Sequence, residues 1–163
     1  IAFNNRIDEF EKRNVQVLGC SVDSQFSHLR WKEMDVNKGG IGNVKYPLVS
    51  DLDKSISRAY DVLLDSTPAT VLINDEEMDT SIGGNVAMRG SFLIDEEGVV
   101  RHAVLNDLPL GRNIDEMLRM VDALAYHTNN GDVCPANWQE GKTAMKANDE
   151  GMRKYMANEA DSL

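Results

Sequence analysis

Cysteine is scarce in this chain of 163 residues, which has only Cys20 and Cys134. The two stand far apart and form no C-x-x-C redox pair or disulfide framework. With the scattered His28, His102 and His127 they do not give the roughly four closely spaced ligands of a zinc site, so neither metal nor cofactor is expected. Long apolar runs are also missing. None approaches the roughly 18 residues that cross a bilayer, and no membrane partner is expected. Positive charge is short, with Lys+Arg 17 against Asp+Glu 27, a net charge of −10 and a pI near 4.7. Phosphate binding needs clustered Lys and Arg, so this balance argues against a nucleic-acid or anionic-membrane surface. Gly39-Gly40-Ile41-Gly42 lacks the G-x-x-x-x-G spacing and following Lys-Ser/Thr of a phosphate loop. There is no initiator Met. Phe3, Ile7 and Phe10 mark an amphipathic helix with no capping residue ahead of it, so the chain is expected to begin inside a helix, as a piece of a longer protein. Any targeting signal would lie upstream, and the expected location is cytoplasmic.

What is present is an alternation of strand and helix patterns, the mark of an α/β layer architecture. At 42% hydrophobic content the chain can bury one core. Val15 to Val22 is a near-continuous apolar run, expected as a strand buried on both faces with Cys20 as a small core residue. Asp23 and Ser24 can cap a helix reaching about Asn37, with Phe26 and Leu29 inward. A short strand at Tyr46 to Val49 follows, and then a helix from Asp53 with Ile56, Ala59, Tyr60 and Leu63 on one face. Phe92 to Ile94 and Val99 to Val104 flank Asp95-Glu96-Glu97-Gly98 as an antiparallel hairpin. Ile114 to His127 is the strongest helix pattern. Asn113 with Glu116 suits a capping-box variant, and Ile114, Met117, Leu118, Val121 and Leu124 form the stripe. Residues 143 to 157 predict a short tail helix weakened by Gly151.

Four motifs recur in a meaningful order: D-S-Q-F-S-H-L-R-W at 23 to 31, K-G-G-I-G-N-V-K-Y-P-L at 38 to 48, R-G-S-F-L-I-D at 89 to 95, and N-D-L-P-L-G-R-N-I-D-E-M-L-R-M-V-D-A-L at 106 to 124. V-C-P-A-N-W at 133 to 138 follows. Together they resemble the typical 2-Cys peroxiredoxins of the alkyl hydroperoxide reductase and thioredoxin peroxidase kind, over nearly all of the chain except roughly Asp65 to Asn85. The resemblance implies a thioredoxin-like fold with its N-terminal strands missing. It also implies a peroxiredoxin domain over 1–128 and a C-terminal arm over 129–163. Residues 65–85 read as an insertion, a surface loop or an extra β-ribbon. The alternative, that Thr67-Pro68 begins a thioredoxin Thr-Pro strand, conflicts with Arg89 to Asp95 already filling that place.

The resemblance further implies the chemistry. In the family a peroxidatic cysteine in a C-P-[ST]-E motif attacks the peroxide. That motif is absent from this chain and is expected upstream of Ile1. Arg89 matches the active-site arginine, whose guanidinium favours the thiolate and the departing oxygen. Arg112 matches a supporting arginine, and Trp31 a tryptophan near the pocket. Cys134 matches the resolving thiol, which condenses with the sulfenic acid of another subunit. The implied substrates are hydrogen peroxide and organic hydroperoxides. The implied partners are thioredoxin or a flavoprotein disulfide reductase, with a homodimer or ring of dimers as the assembly. The piece alone is expected to be inactive, and a holdase chaperone is the alternative activity. The G-G-[LI]-G element of oxidation-sensitive relatives goes with a C-terminal Tyr-Phe, whereas this chain has Tyr155-Met156, so intermediate resistance to overoxidation is expected.

Overall fold

The computed structural model describes residues 1–82 and 85–162. They fall into two compact units, one of Ile1–Ser91 with Ala103–Arg112, the other of Phe92–His102 with the chain from Asn113 onward.

The first unit opens with two short helices, α1 (Ala2–Asn5) and α2 (Ile7–Glu11), in place of one continuous helix. The break falls at Arg6, whose side chain pairs with Glu9. The apolar stripe still works: Ile7 and Phe10 are buried, and the Phe3 and Phe10 rings lie 5.7 Å apart. Strand β1 (Gly19–Ser21) runs parallel to β2 (Leu48–Ser50), with Gly19 opposite Leu48, so the connection must cross over through a helix. That helix, α3 (Gln25–Glu33), starts where Ser24 Oγ accepts from Ser27 N at 3.2 Å.

Four expectations fail in this region. The strand covers only part of Val15 to Val22, because β2 is its one ladder neighbour among the described residues. Leu18 is 61% exposed and Cys20 is exposed rather than a core residue. Helix α3 stops at Glu33 and a 3-10 turn takes Val36–Lys38. Its inward residue is His28, while Phe26 and Leu29 are 73% and 55% exposed. His28 faces inward because its Nε2 lies 2.7 Å from Ser21 Oγ and its ring meets Trp31 at 5.6 Å. The following loop depends on glycine: a Cβ on Gly40 would lie 2.0 Å from the Met34 carbonyl oxygen.

Asp51 is 1% exposed and carries the start of α4 (Ser55–Ala59). Its carboxylate accepts from Ile56 N at 2.9 Å, Ser57 N at 2.7 Å and Ser57 Oγ at 2.6 Å, which satisfies helix-start donors that would otherwise be orphaned. Asp53, the expected helix start, accepts from Ser55 N and Oγ. The helix ends well before Leu63, which instead pairs with Ala87 in an isolated bridge. From there strands β3 (Thr67–Ile73) and β4 (Glu76–Ile82) form an antiparallel ribbon. Asn74 and Asp75 both have positive φ, the backbone of a two-residue type I′ turn. Residues 67–82 are therefore a β-ribbon, with Pro68 paired to Ser81 inside it rather than beginning a core strand.

Strands β5 (Arg89–Ile94) and β6 (Val100–Asn106) pair as the expected hairpin, whose tip belongs to the second unit. Asp95 Oδ1 accepts from Glu97 N and Val99 N across the turn. Helix α5 (Ile114–Asn130) is capped by Asn113, which accepts from Glu116 N at 3.2 Å, and ends at Gly131 with φ 70°. Only half of the capping box forms, because the Glu116 carboxylate turns to Arg119. Met117, Leu118, Val121 and Ala123 make the buried stripe, with Leu93 and Trp138 also in this unit's core.

The tail helix α6 (Asp149–Glu159) starts later than expected, at the Asn148 cap. Residues before it are extended, with Val133 and Met145 exchanging backbone hydrogen bonds at 2.7 and 2.9 Å. Gly151 enables this start rather than weakening it, because a Cβ there would lie 2.6 Å from the Lys146 carbonyl oxygen. No helix among the described residues is long and apolar enough to cross a membrane.

Candidate functional site

Two arginines in the first unit each hold the backbone near the other. Arg89, at the start of β5, donates from Nε to the Leu108 carbonyl at 3.2 Å. Arg112, at the end of the loop after β6, donates from Nε to the Gly90 carbonyl at 3.1 Å. Each arginine thus fastens the segment that carries the other, and the pairing of β5 with β6 brings the two within reach. Neither makes an ion pair among the described residues. Two like charges repel. Desolvation first, and then the charge of Arg89, hold the Arg112 guanidinium below its ordinary value, although an arginine stays protonated regardless. Tyr46 faces the same place. Burial pushes its phenol up and Arg112 pulls it partly back. The motif at 38 to 48 carries Tyr46 only as a letter, a polar-tipped aromatic between the glycine loop and β2.

A cationic pair with spare N–H donors, in a chain of net charge −10, is a place for a developing negative charge. The guanidinium fork offers several donors in fixed geometry, and backbone carbonyls occupy one of them on each arginine.

Cys20 lies in this unit too. Desolvation and then the Asp51 carboxylate push its thiol up, so its surroundings work against a thiolate.

In the second unit, Cys134 follows the C-terminal end of α5. It is half-buried, and Sγ donates to the Ala123 carbonyl at 3.5 Å. Burial pushes the thiol up most, Arg119 pulls it down and Asp132 pushes it up again. A thiol that donates to a carbonyl is held in its neutral form. The surrounding turn is firmly packed. Trp138 N donates to the Pro135 carbonyl, the Trp138 ring is 2% exposed and lies 5.0 Å from Tyr126, and its Nε1 donates to the Lys142 carbonyl. His127 Nδ1 lies 2.8 Å from the Asp132 carbonyl oxygen, and Lys146 pairs with the Asp132 carboxylate at 2.7 Å. Arg119 and Trp138 are neighbours of Cys134 that the motifs carry only as letters. The structure brings Arg89 and Arg112 together, and gives Cys134 its own neighbours in the other unit. No group of acidic, His and Cys side chains among the described residues could hold a metal.

Comparison with known proteins agrees along the chain. A model of the AhpC/TSA family matches residues 1–103, and one of the C-terminal domain of 1-Cys peroxiredoxin matches residues 123–158. Alkyl hydroperoxide reductase C of Helicobacter pylori is 46% identical over 163 residues, all of this chain and 73% of that protein. The mitochondrial thioredoxin-dependent peroxide reductase of Drosophila melanogaster is 43% identical over 159 residues, 96% of this chain and 61% of the relative. Among solved structures, the reduced 2-Cys peroxiredoxin of Plasmodium vivax superposes with a TM-score of 0.82 at 44% identity, covering 96% of this chain and 72% of that one.

Proposed function

The chain belongs to the AhpC/TSA family of peroxiredoxins, with an α/β thioredoxin-like fold, and we propose that it supplies the arginine pair and the resolving thiol of a thiol-dependent peroxidase. The substrates of this reading are hydrogen peroxide and organic hydroperoxides. The nucleophilic thiolate comes from outside these 163 residues. It attacks the outer peroxide oxygen, the O–O bond breaks, and the thiolate becomes a sulfenic acid while the alkoxide or hydroxide leaves and takes a proton. Arg89 and Arg112 stabilise both the thiolate and the leaving oxygen. The Cys134 thiol then attacks the sulfenic sulfur, expelling water and forming a disulfide with another subunit. A dithiol reductant, thioredoxin or a flavoprotein disulfide reductase, restores both thiols. In this reading residues 1–128 carry the reacting centre, 129–163 form the arm that delivers Cys134, and the protein works in the cytoplasm as a homodimer or a ring of dimers.

The observation that carries the proposal is the reciprocal clasp of Arg89 and Arg112, two neighbouring cations with no carboxylate partner among the described residues. The surroundings of the two cysteines support the division of roles. Both thiols are pushed above the ordinary value, which does not suit a peroxidatic thiol. The isolated chain is therefore expected to show no catalytic turnover of peroxide with thioredoxin and its reductase. In the protein carrying the upstream cysteine, peroxide should produce a disulfide-linked dimer on a non-reducing gel. Cys134→Ser should remove that band and the recycling, leaving a single round of peroxide reduction. Persistence of the dimer in Cys134→Ser, with its loss in Cys20→Ser, would reverse the assignment. The holdase alternative draws on exposed apolar side chains such as Phe26 and Leu29. Suppression of client aggregation that survives Cys134→Ser would favour it.

A further inference from the structure

Arg119 stands in the middle of α5 with about a quarter of its side chain exposed, and all its described polar contacts lie within the second unit. Nε and Nη2 hold the two oxygens of Glu116 at 2.6 and 2.7 Å, one helical turn back. The planar guanidinium is thereby fixed in direction. Nη1 is left pointing at the turn after Cys134, where it donates to the Trp138 carbonyl at 2.9 Å, and Nη2 also lies 3.1 Å from the Met120 sulfur. Ala123, whose carbonyl accepts from Cys134 Sγ, follows Arg119 by four residues and so shares its helix face. The same stretch of α5 thus holds the turn at two points, by the guanidinium at Trp138 and by a carbonyl at Cys134.

We propose that Arg119 is a positioning residue that latches the Cys134 turn onto α5, so that release of the Trp138 carbonyl from Arg119 makes the resolving thiol available. This inference rests on the proposed role of Cys134 and adds the residue that governs its availability. While the latch is closed, Sγ faces the Ala123 carbonyl as a neutral donor. The charged groups around it are Arg119 with Glu116 on α5, and Asp132 with Lys146 on the tail. When the latch opens, the thiol gains water and loses the carbonyl; both changes favour the thiolate and outweigh the opposing loss of the Arg119 charge, because burial is the larger cause.

The test uses this chain with Cys20→Ser, so that Cys134 is the sole thiol, and follows its reaction with a small aromatic disulfide across the pH range in which thiols ionise. A charge-assisted hydrogen bond to a half-buried carbonyl corresponds to about a tenfold change in a local opening equilibrium. Arg119→Gln should therefore speed labelling at neutral pH by about tenfold and move the titration midpoint down toward an ordinary thiol. Arg119→Lys, which keeps the charge and one donor, should recover part of the slow labelling. Glu116→Gln, which loosens the aim but keeps the guanidinium, should give a smaller increase and serves if Arg119→Gln does not fold. A midpoint that moves up with slower labelling would make Arg119 a mere electrostatic neighbour, and a rate within twofold of the parent would leave it no role; either overturns the latch. Hydrogen exchange provides the structural control. Exchange should quicken at the Trp138 and Val133 amides with the α5 amides unchanged, and loss of protection throughout α5 would overturn the latch in favour of a folding role. The disulfide-dimer experiment reads only what Cys134 does, so its failure and failure of the latch are separately visible.

Discussion

Two arginine sites, one in each unit, work in opposite ways. In the first, Arg89 and Arg112 are neighbouring cations whose hydrogen bonds among the described residues go to backbone carbonyls, so their mutual repulsion is not offset by a carboxylate there. In the second, Arg119 is gripped by both oxygens of Glu116 and gives a further donor to a carbonyl. A cation kept without a counter-ion retains its field for a charge that arrives during reaction. A cation already matched serves as a fastener. The difference teaches that a count of basic residues says little about chemistry, and that the identity of each partner decides it.

The sharpest way to break the comparison is to remove the unmatched charge. In a chain extended to carry an upstream C-P-[ST]-E cysteine, Arg89→Ala should slow the reaction with peroxide by on the order of 10² through lost thiolate and lost stabilisation of the leaving oxygen. Stopped-flow rates within a few-fold of the parent would make Arg89 another fastener.

A carboxylate fastener inside the first unit gives a smaller effect. Burial acts to raise the Asp51 carboxyl, but the Ser57 hydroxyl and the Ser57 and Ile56 amides outweigh it and hold the group below the usual carboxylate range. With its folded value depressed, its contribution to stability is present above the ordinary carboxylate range and is lost as pH falls through that lower value. Denaturant titrations should therefore show stability falling at acid pH, with a weaker fall in Asp51→Asn. An identical acid dependence in the variant would show that Asp51 titrates alike in both states.

The smallest effect expected is at a fastener with no charge at all. Gly151→Ala sets a methyl against the Lys146 carbonyl, and the start of α6 should lose about 1 kcal/mol. Thermal melting with helicity followed by circular dichroism would detect this, and an unchanged profile would mean that the turn before α6 yields freely.

Legibility in the sequence followed the source of each element's stability. Helix α5 could be read almost to its ends because its stripe, its Asn113 cap and its Gly131 stop are all local. Strand β1 could not, because a strand's extent is set by its neighbours, and here β2 is the only partner among the described residues. Helix α3 misled for a related reason. Periodicity nominated Phe26 and Leu29, whereas the side that packs is chosen by the contacts of His28 with Ser21 and Trp31. Of the candidate site, Arg89, Arg112 and Cys134 were legible as motif letters. Their geometry was not, because the loop placing of Tyr46 and Trp138, and the reach of Arg119 from α5 to the Trp138 carbonyl, follow no spacing rule.

The β3–β4 ribbon closes at its own base. Leu64 N donates to the Val86 carbonyl at 2.9 Å and Met88 N to the Val62 carbonyl at 2.8 Å, on either side of the Leu63–Ala87 bridge. The chain therefore leaves this neck and returns to it with its backbone already zipped, so the rest of the unit meets the same two adjoining ends whatever lies between them. Cassettes of different length can be exchanged there without new wiring on either side, and a protein engineer could graft a reporter epitope at Asn74-Asp75 by the same logic.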